Sequence, residues 1–203
     1  MNHSSLAFDA AKAAVVPATW RDYFQMTKPT ITLLVVVTVF PGILLASPGV
    51  IPPMSLILAS MIGTWLASSS AAVFNHLVDA DIDRHMARTS RRPVASGRVE
   101  TPTAMIFGAA LGVASVAVLA MWTTVTAAVI AVLANAFYVV FYTMYLKRRT
   151  VQNIVIGGAA GAVGPLIGWA SVDANIGWPA WMLFMVIFLW TPPHFWALAL
   201  KYK

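Results

Sequence analysis

The chain has 203 residues, of which 60% are hydrophobic and 10% charged, with a formal net charge of +6. Soluble domains carry about 25% charged residues, so this composition argues against a soluble globular fold. Cysteine is absent, which removes disulfides, thiolate nucleophiles and cysteine metal sites together.

Taken in chain order, residues 1–18 are Ala-rich, carry Asp9 and Lys12, and contain neither Arg nor an apolar core long enough for a signal peptide. They read as a disordered tail ahead of one membrane domain over 19–203. A mitochondrial transit peptide is Arg-rich, so the bacterial cytoplasmic (inner) membrane is the expected location. Trp20, Tyr23 and Phe24 then fall at i, i+3 and i+4, with Thr19 as an N-cap, which predicts a short interfacial helix serving as an aromatic anchor. Apolar runs of the roughly 20-residue length needed to cross a bilayer follow, apolar on every face and so unlike the alternating strands of a β-barrel. Their backbones must bond internally, which makes them helices. The expected fold is therefore all-α, a polytopic transmembrane helix bundle, with spans near 30–47, 54–78, 103–122, 124–146, 151–171 and 179–200. With the N-terminus inside, every Lys and Arg of the chain falls in an inside segment and the three outside loops carry none, as the positive-inside rule requires.

The segment from Asn75 to Asp83 holds most of the chemistry. Four-residue spacing on an α-helix puts Asn75, Asp79 and Asp83 in one slowly drifting stripe, while Asp81 points elsewhere. These are hard oxygen ligands about one turn apart, and Mg²⁺ binds through one or two carboxylates, waters and substrate phosphate oxygens. Arg84, Arg88, Arg91 and Arg92 follow at once, and Lys147, Arg148 and Arg149 lie in the next inside loop. Arginine grips phosphate oxygens bidentately, so the pattern suits a metal-bound diphosphate. For the second basic cluster, topology signal and contact with anionic lipid compete with that reading.

Asn75-x3-Asp79-x3-Asp83 resembles the first aspartate-rich motif of the UbiA-type intramembrane prenyltransferases. The run Asp79 to Pro93, with Met86, Arg88, Thr89 and Arg92, is similar to the haem-farnesylating branch of that family. So are Tyr142-Thr143-x2-Leu146-Lys147-Arg148-x-Thr150 continuing into Asn153 to Gly161, and Pro192-Pro193-His194-Phe195-Trp196. The resemblance runs from about Tyr23 to the last residue. It implies transfer of the farnesyl group of farnesyl diphosphate to a vinyl group of haem b, with haem b as substrate and Mg²⁺ as cofactor. By this likeness Asn75, Asp79 and Asp83 hold metal and carry catalysis, and Arg88, Arg92, Lys147 and Arg148 bind the diphosphate. It also points to association with a haem A synthase, in membrane lipid and without a nucleic-acid partner. The family has about nine spans and a second acidic motif after the sixth, so the chain is expected to be C-terminally truncated, with six of nine spans.

Other residues carry alternatives. Gly157, Gly161, Gly164 and Gly168 recur on one helical face, suiting close helix packing or a wall thinned to admit a flat macrocycle. Pro165, and Pro192 with Pro193, are expected to break or kink their helices. His194 reads either as a haem contact or as a hydrogen-bonded packing residue. An aromatic or quinone prenyltransferase of the same family, and a cation transporter using Asp79 and Asp83, are the competing functions.

Overall fold

A computed structural model describes residues 17–201, so the tail expected over 1–18 lies outside the described residues except for Pro17 and Ala18, which are exposed and irregular. The described chain is all-helical. It comprises α1 (Trp20–Met26), α2 (Pro29–Val37), α3 (Val39–Ala46), α4 (Met54–Asp83), α5 (Thr101–Trp122) and α6 (Val125–Ala136). A π-wound segment (Phe137–Tyr145) and a 3-10 turn (Leu146–Arg148) continue α6, followed by α7 (Asn153–Gly161), α8 (Gly164–Val172) and α9 (Trp178–Lys201). Six stretches are long and apolar enough to cross a membrane, at Pro29–Ala46, Met54–Asp83, Thr101–Trp122, Val125–Arg148, Asn153–Val172 and Trp178–Lys201. They match the six expected spans to within a few residues, and the protein is an integral membrane helix bundle.

The organising element is α4, which packs against α1, α2, α3, α5, α6, α8 and the π-wound segment. Its sequence explains that position: Ala59, Ser60, Gly63, Thr64, Ala67, Ser70, Ala71 and Ala72 are small and buried. Small side chains let membrane helices approach until backbone atoms become partners. Ser115 Oγ donates to the Gly63 carbonyl at 2.7 Å and Ser70 Oγ to the Gly108 carbonyl at 2.8 Å, tying α4 to α5 in both directions. A methyl group on Gly63 would overlap the Leu119 side chain.

Two spans are broken. Pro41 cannot donate to the Val37 carbonyl, and the first span divides at Thr38 into α2 and α3. Pro165 likewise cannot donate to Gly161, and the fifth span divides into α7 and α8, as the sequence predicts. The breaks meet: a side chain on Gly164 would strike Thr38, and one on Gly168 the Val39 carbonyl. The glycine stripe therefore divides as well. Gly164 and Gly168 serve close packing, whereas Gly161 faces open space along a cavity. Pro192 and Pro193 do not break their helix, because α9 runs through both without interruption. Proline's fixed φ is itself helical, and what the pair removes is the hydrogen bonds that the Phe188 and Leu189 carbonyls would have accepted.

At the basic end of the bundle, residues 84–100 form a folded cap. Val94 and Val99 are buried in a cluster with Met26, Val73 and Ala104. The turn reverses at Gly97, whose φ of +78° suits glycine. Arg84 Nε donates to the Ala95 carbonyl at 3.2 Å. Arg98 Nε reaches Asp22 at 2.8 Å, and another of its nitrogens reaches the Arg91 carbonyl at 2.8 Å, so α1 and the cap are locked together.

Candidate active site

The last three turns of α4 carry the acidic stripe. Asn75, Asp79 and Asp83 are all buried on one face, at 3%, 1% and 4% exposure. A desolvated carboxylate needs partners, and the surrounding elements supply them. Asn75 Nδ2 donates to Asp79 Oδ2 at 2.9 Å. Lys147 Nζ reaches the same Asp79 oxygen at 2.5 Å. Arg92 Nη1 pairs with Asp83 Oδ2 at 2.6 Å. The second Asp79 oxygen, Oδ1, is buried with no hydrogen-bond partner.

The π winding after Ala136 has a direct consequence for this site. Such segments are rare and concentrate at functional positions, because the wider turn re-aims side chains. Here Thr143 Oγ1 donates to the Tyr138 carbonyl five residues back, at 2.8 Å, and accepts from Asn75 Nδ2 at 3.3 Å. Tyr138 and Tyr142 lie side by side, with ring centroids 5.0 Å apart.

Lys28 is a site residue that the sequence reasoning missed. It caps the N-terminus of α2 in the left-handed region, with φ of 48°, and its ammonium donates to Asn75 Oδ1. Burial and the nearby Arg92 guanidinium push its pKa down to about 8, against the pull of Asp79 and Asp83. Its contact with Asn75 spans 47 positions, so no local pattern in the sequence marks it. His76, adjacent to Asn75, is also buried and leaves its Nδ1 without a partner.

The other expected residues are distributed differently. Arg148 turns away from the stripe and grips Asp81 bidentately at 2.9 and 3.1 Å, with a further bond to the Val78 carbonyl at 2.8 Å. Arg88 is exposed on the cap. His194 is exposed on α9, its ring stacked on Trp190 at 6.2 Å, and α9 packs on α3, α7 and α8 rather than on α4.

The residues fit a bound Mg²⁺. Asn75, Asp79 and Asp83 offer oxygens on one face, and one buried carboxylate oxygen is unpartnered. Among the described residues no three His, Asp or Glu side chains converge closely enough to hold a metal by themselves.

Directly below the stripe, an apolar cavity runs between α2, α4, α6, α7 and α8, with Lys28 and Tyr138 at its mouth. Its polar wall residues are turned back on the protein. Thr64 donates to the Ser60 carbonyl at 2.8 Å, Thr32 to the Thr27 carbonyl at 2.9 Å, and Asn135 Nδ2 to the Ala67 carbonyl at 3.1 Å. The wall is mainly apolar.

Comparison with known proteins agrees with this architecture. The UbiA prenyltransferase family pattern matches residues 35–203. The chain is 52% identical over 186 residues to a protoheme IX farnesyltransferase of Gloeobacter violaceus, covering 92% of this chain and 61% of that protein. It is 50% identical over 181 residues to one of Leifsonia xyli, covering 89% and 59%. The chain thus spans less than two thirds of the length of these curated relatives. Among solved structures, a digeranylgeranylglyceryl phosphate synthase superposes with a TM-score of 0.71 at 20% identity, covering 83% of this chain and 58% of that one. A UbiA homolog from Archaeoglobus fulgidus bound to GPP and Mg²⁺ gives 0.69 at 17% identity, covering 85% and 62%.

Proposed function

The chain belongs to the UbiA prenyltransferase family, and from that premise we propose that it transfers the farnesyl group of farnesyl diphosphate to a vinyl carbon of haem b, giving haem O. The reaction is Mg²⁺-dependent and runs at the cytoplasmic face of a bacterial membrane. The observation that carries this reading is Asp79, a buried carboxylate with one oxygen held by Lys147 and Asn75 and the other free of any partner, above an apolar cavity. The substrate assignment is supported by the relatives' names and by the block from Asp79 to Pro93.

In this mechanism Asn75, Asp79 and Asp83 would hold Mg²⁺, which would supply neutralisation of the charge that develops on the leaving diphosphate. Lys28, Lys147 and Arg92 already converge on the stripe and exchange their carboxylate and amide partners for phosphate oxygens when substrate arrives. Arg88 on the exposed cap adds a further donor to the diphosphate. Arg148 steadies the chain end of the π segment through Asp81 and is left out of the diphosphate contacts. The apolar cavity keeps water from the allylic cation, formed as diphosphate leaves, until the electron-rich vinyl carbon attacks it; the cation this leaves on the vinyl carbon next to the macrocycle then takes up water and releases a proton, giving the hydroxyalkyl side chain of haem O. Product haem O would pass to a haem A synthase.

A cation pathway would need acids at membrane depth, and α4 has none between Met54 and Val78. The test is incubation of membranes containing the protein with farnesyl diphosphate and either haem b or 4-hydroxybenzoate. A farnesylated haem, lost on chelation of Mg²⁺, is the expected result. Prenylated 4-hydroxybenzoate alone would move the protein to the quinone branch.

A further inference from the structure

The cavity has a floor, and the residues that form it are identifiable because they belong to two environments at once. Ala67, Ala131 and Ile167 line the cavity and are also members of the buried cluster with Leu119, Ala127, Ala128 and Ala170, Ala131 and Ile167 being 2% exposed. Ala67 and Ala131 form a thin partition from a second space between α4, α5 and α6, whereas Ile167 backs onto the cluster itself. Above them the cavity runs up to Lys28, which touches Asn75 of the acidic stripe, so a ligand anchored at the stripe extends downward into the space.

The depth follows from helix geometry. On α4 the deepest lining residue, Thr64, lies eleven positions before Asn75, roughly 16 Å along the axis at about 1.5 Å per residue. On α6, Ala131 lies seven positions before Tyr138, roughly 10 Å below the mouth. This is the reach of a short extended prenyl chain, and with Thr64, Thr32 and the Asn135 amide bonded to backbone carbonyls the wall such a chain meets is mostly apolar.

Resting on the function proposed above, we propose that Ala131 and Ile167 set the length of the prenyl chain the protein accepts, by fixing where the cavity stops. The small Ala131 side chain leaves room for the terminal isoprene unit, and Ile167 closes the space beneath it. Each added or removed isoprene unit changes apolar contact by several methylene equivalents, and a single methylene in an apolar pocket discriminates about tenfold or more.

The experiment compares geranyl, farnesyl and geranylgeranyl diphosphates as donors to haem b, reading kcat/KM for each. Ala131→Leu is expected to shift the geranyl-to-farnesyl ratio at least tenfold toward geranyl. Ile167→Ala is expected to shift the geranylgeranyl-to-farnesyl ratio at least tenfold toward the longer chain. Opposite shifts in the two variants support the assignment, and an unchanged donor profile in an active Ala131→Leu or Ile167→Ala protein overturns it. Should Ala131→Leu fail to fold, Ile167→Ala alone decides, since it removes bulk. A wild-type protein that uses none of the three donors would refute the proposed function itself, which separates the two failures.

Discussion

Asp79 and Asp81 stand two positions apart on α4, yet the first side chain is 2% exposed and the second 61%. Each is paired with a cation from the same short turn, Asp79 with Lys147 and Asp81 with Arg148. Two steps along a helix turn a side chain through about 200°, so neighbouring acids of equal charge land in opposite surroundings. The buried pair sits where every oxygen must be accounted for, and one of them is not. The exposed pair faces water, where an ion pair contributes little. Charge content alone does not distinguish these residues; helix phase does.

The comparison can be broken most severely at Asp79. Asp79→Ala should lower turnover of farnesyl diphosphate by about 10² to 10³ or more, the cost of removing a preorganised group that stabilises transition-state charge. A steady-state assay with saturating Mg²⁺ measures it. Arg92→Lys comes next, with an expected loss of about tenfold, because an ammonium cannot reproduce the guanidinium fork toward both Asp83 and a phosphate. Its KM for farnesyl diphosphate should rise, and rescue by higher substrate concentration would be the signature.

A third prediction concerns the clamp between α1 and the cap. Burial alone would raise the Asp22 carboxyl, but hydrogen bonds from Thr19 and the Arg98 guanidinium hold it below the ordinary value of 3.8. A depressed carboxyl contributes stability that is present above the unfolded pKa and lost as pH falls through the folded one. Thermal unfolding in detergent should therefore show a drop below about pH 4. Asp22→Asn should flatten that drop and cost about 1 kcal/mol near neutrality. The smallest effect belongs to the other side of the comparison. Asp81→Ala should change stability by less than about 1 kcal/mol and activity by less than about twofold. Equal damage at Asp79 and Asp81 would remove the distinction between the two faces.

Much of the architecture was legible because it is periodic and local. The spans follow from run length and the stripe from four-residue spacing. What the sequence left hidden depends on packing between distant segments. Lys28 meets Asn75 across 47 positions, and Arg98 meets Asp22 across 76. Arg148 and Lys147 are adjacent and equally basic, yet Lys147 pairs with buried Asp79 and Arg148 with exposed Asp81. No periodic signal in Phe137–Tyr145 marks its π winding, because the residues are apolar or aromatic on all sides. The prolines divide in the same way: Pro165 coincides with a helix break that α3 packs against, whereas Pro192 and Pro193 sit within one uninterrupted helix.

Titration of the protein with a non-hydrolysable farnesyl diphosphate analogue, with and without Mg²⁺, followed by calorimetry on wild type, Asp79→Asn and Asp81→Asn, addresses the stripe itself. Wild type and Asp81→Asn should bind the analogue tightly only when Mg²⁺ is present, and Asp79→Asn should lose that dependence together with most of the affinity. Binding that is indifferent to Mg²⁺, or equal in all three proteins, would contradict the metal-diphosphate role of the buried face of α4.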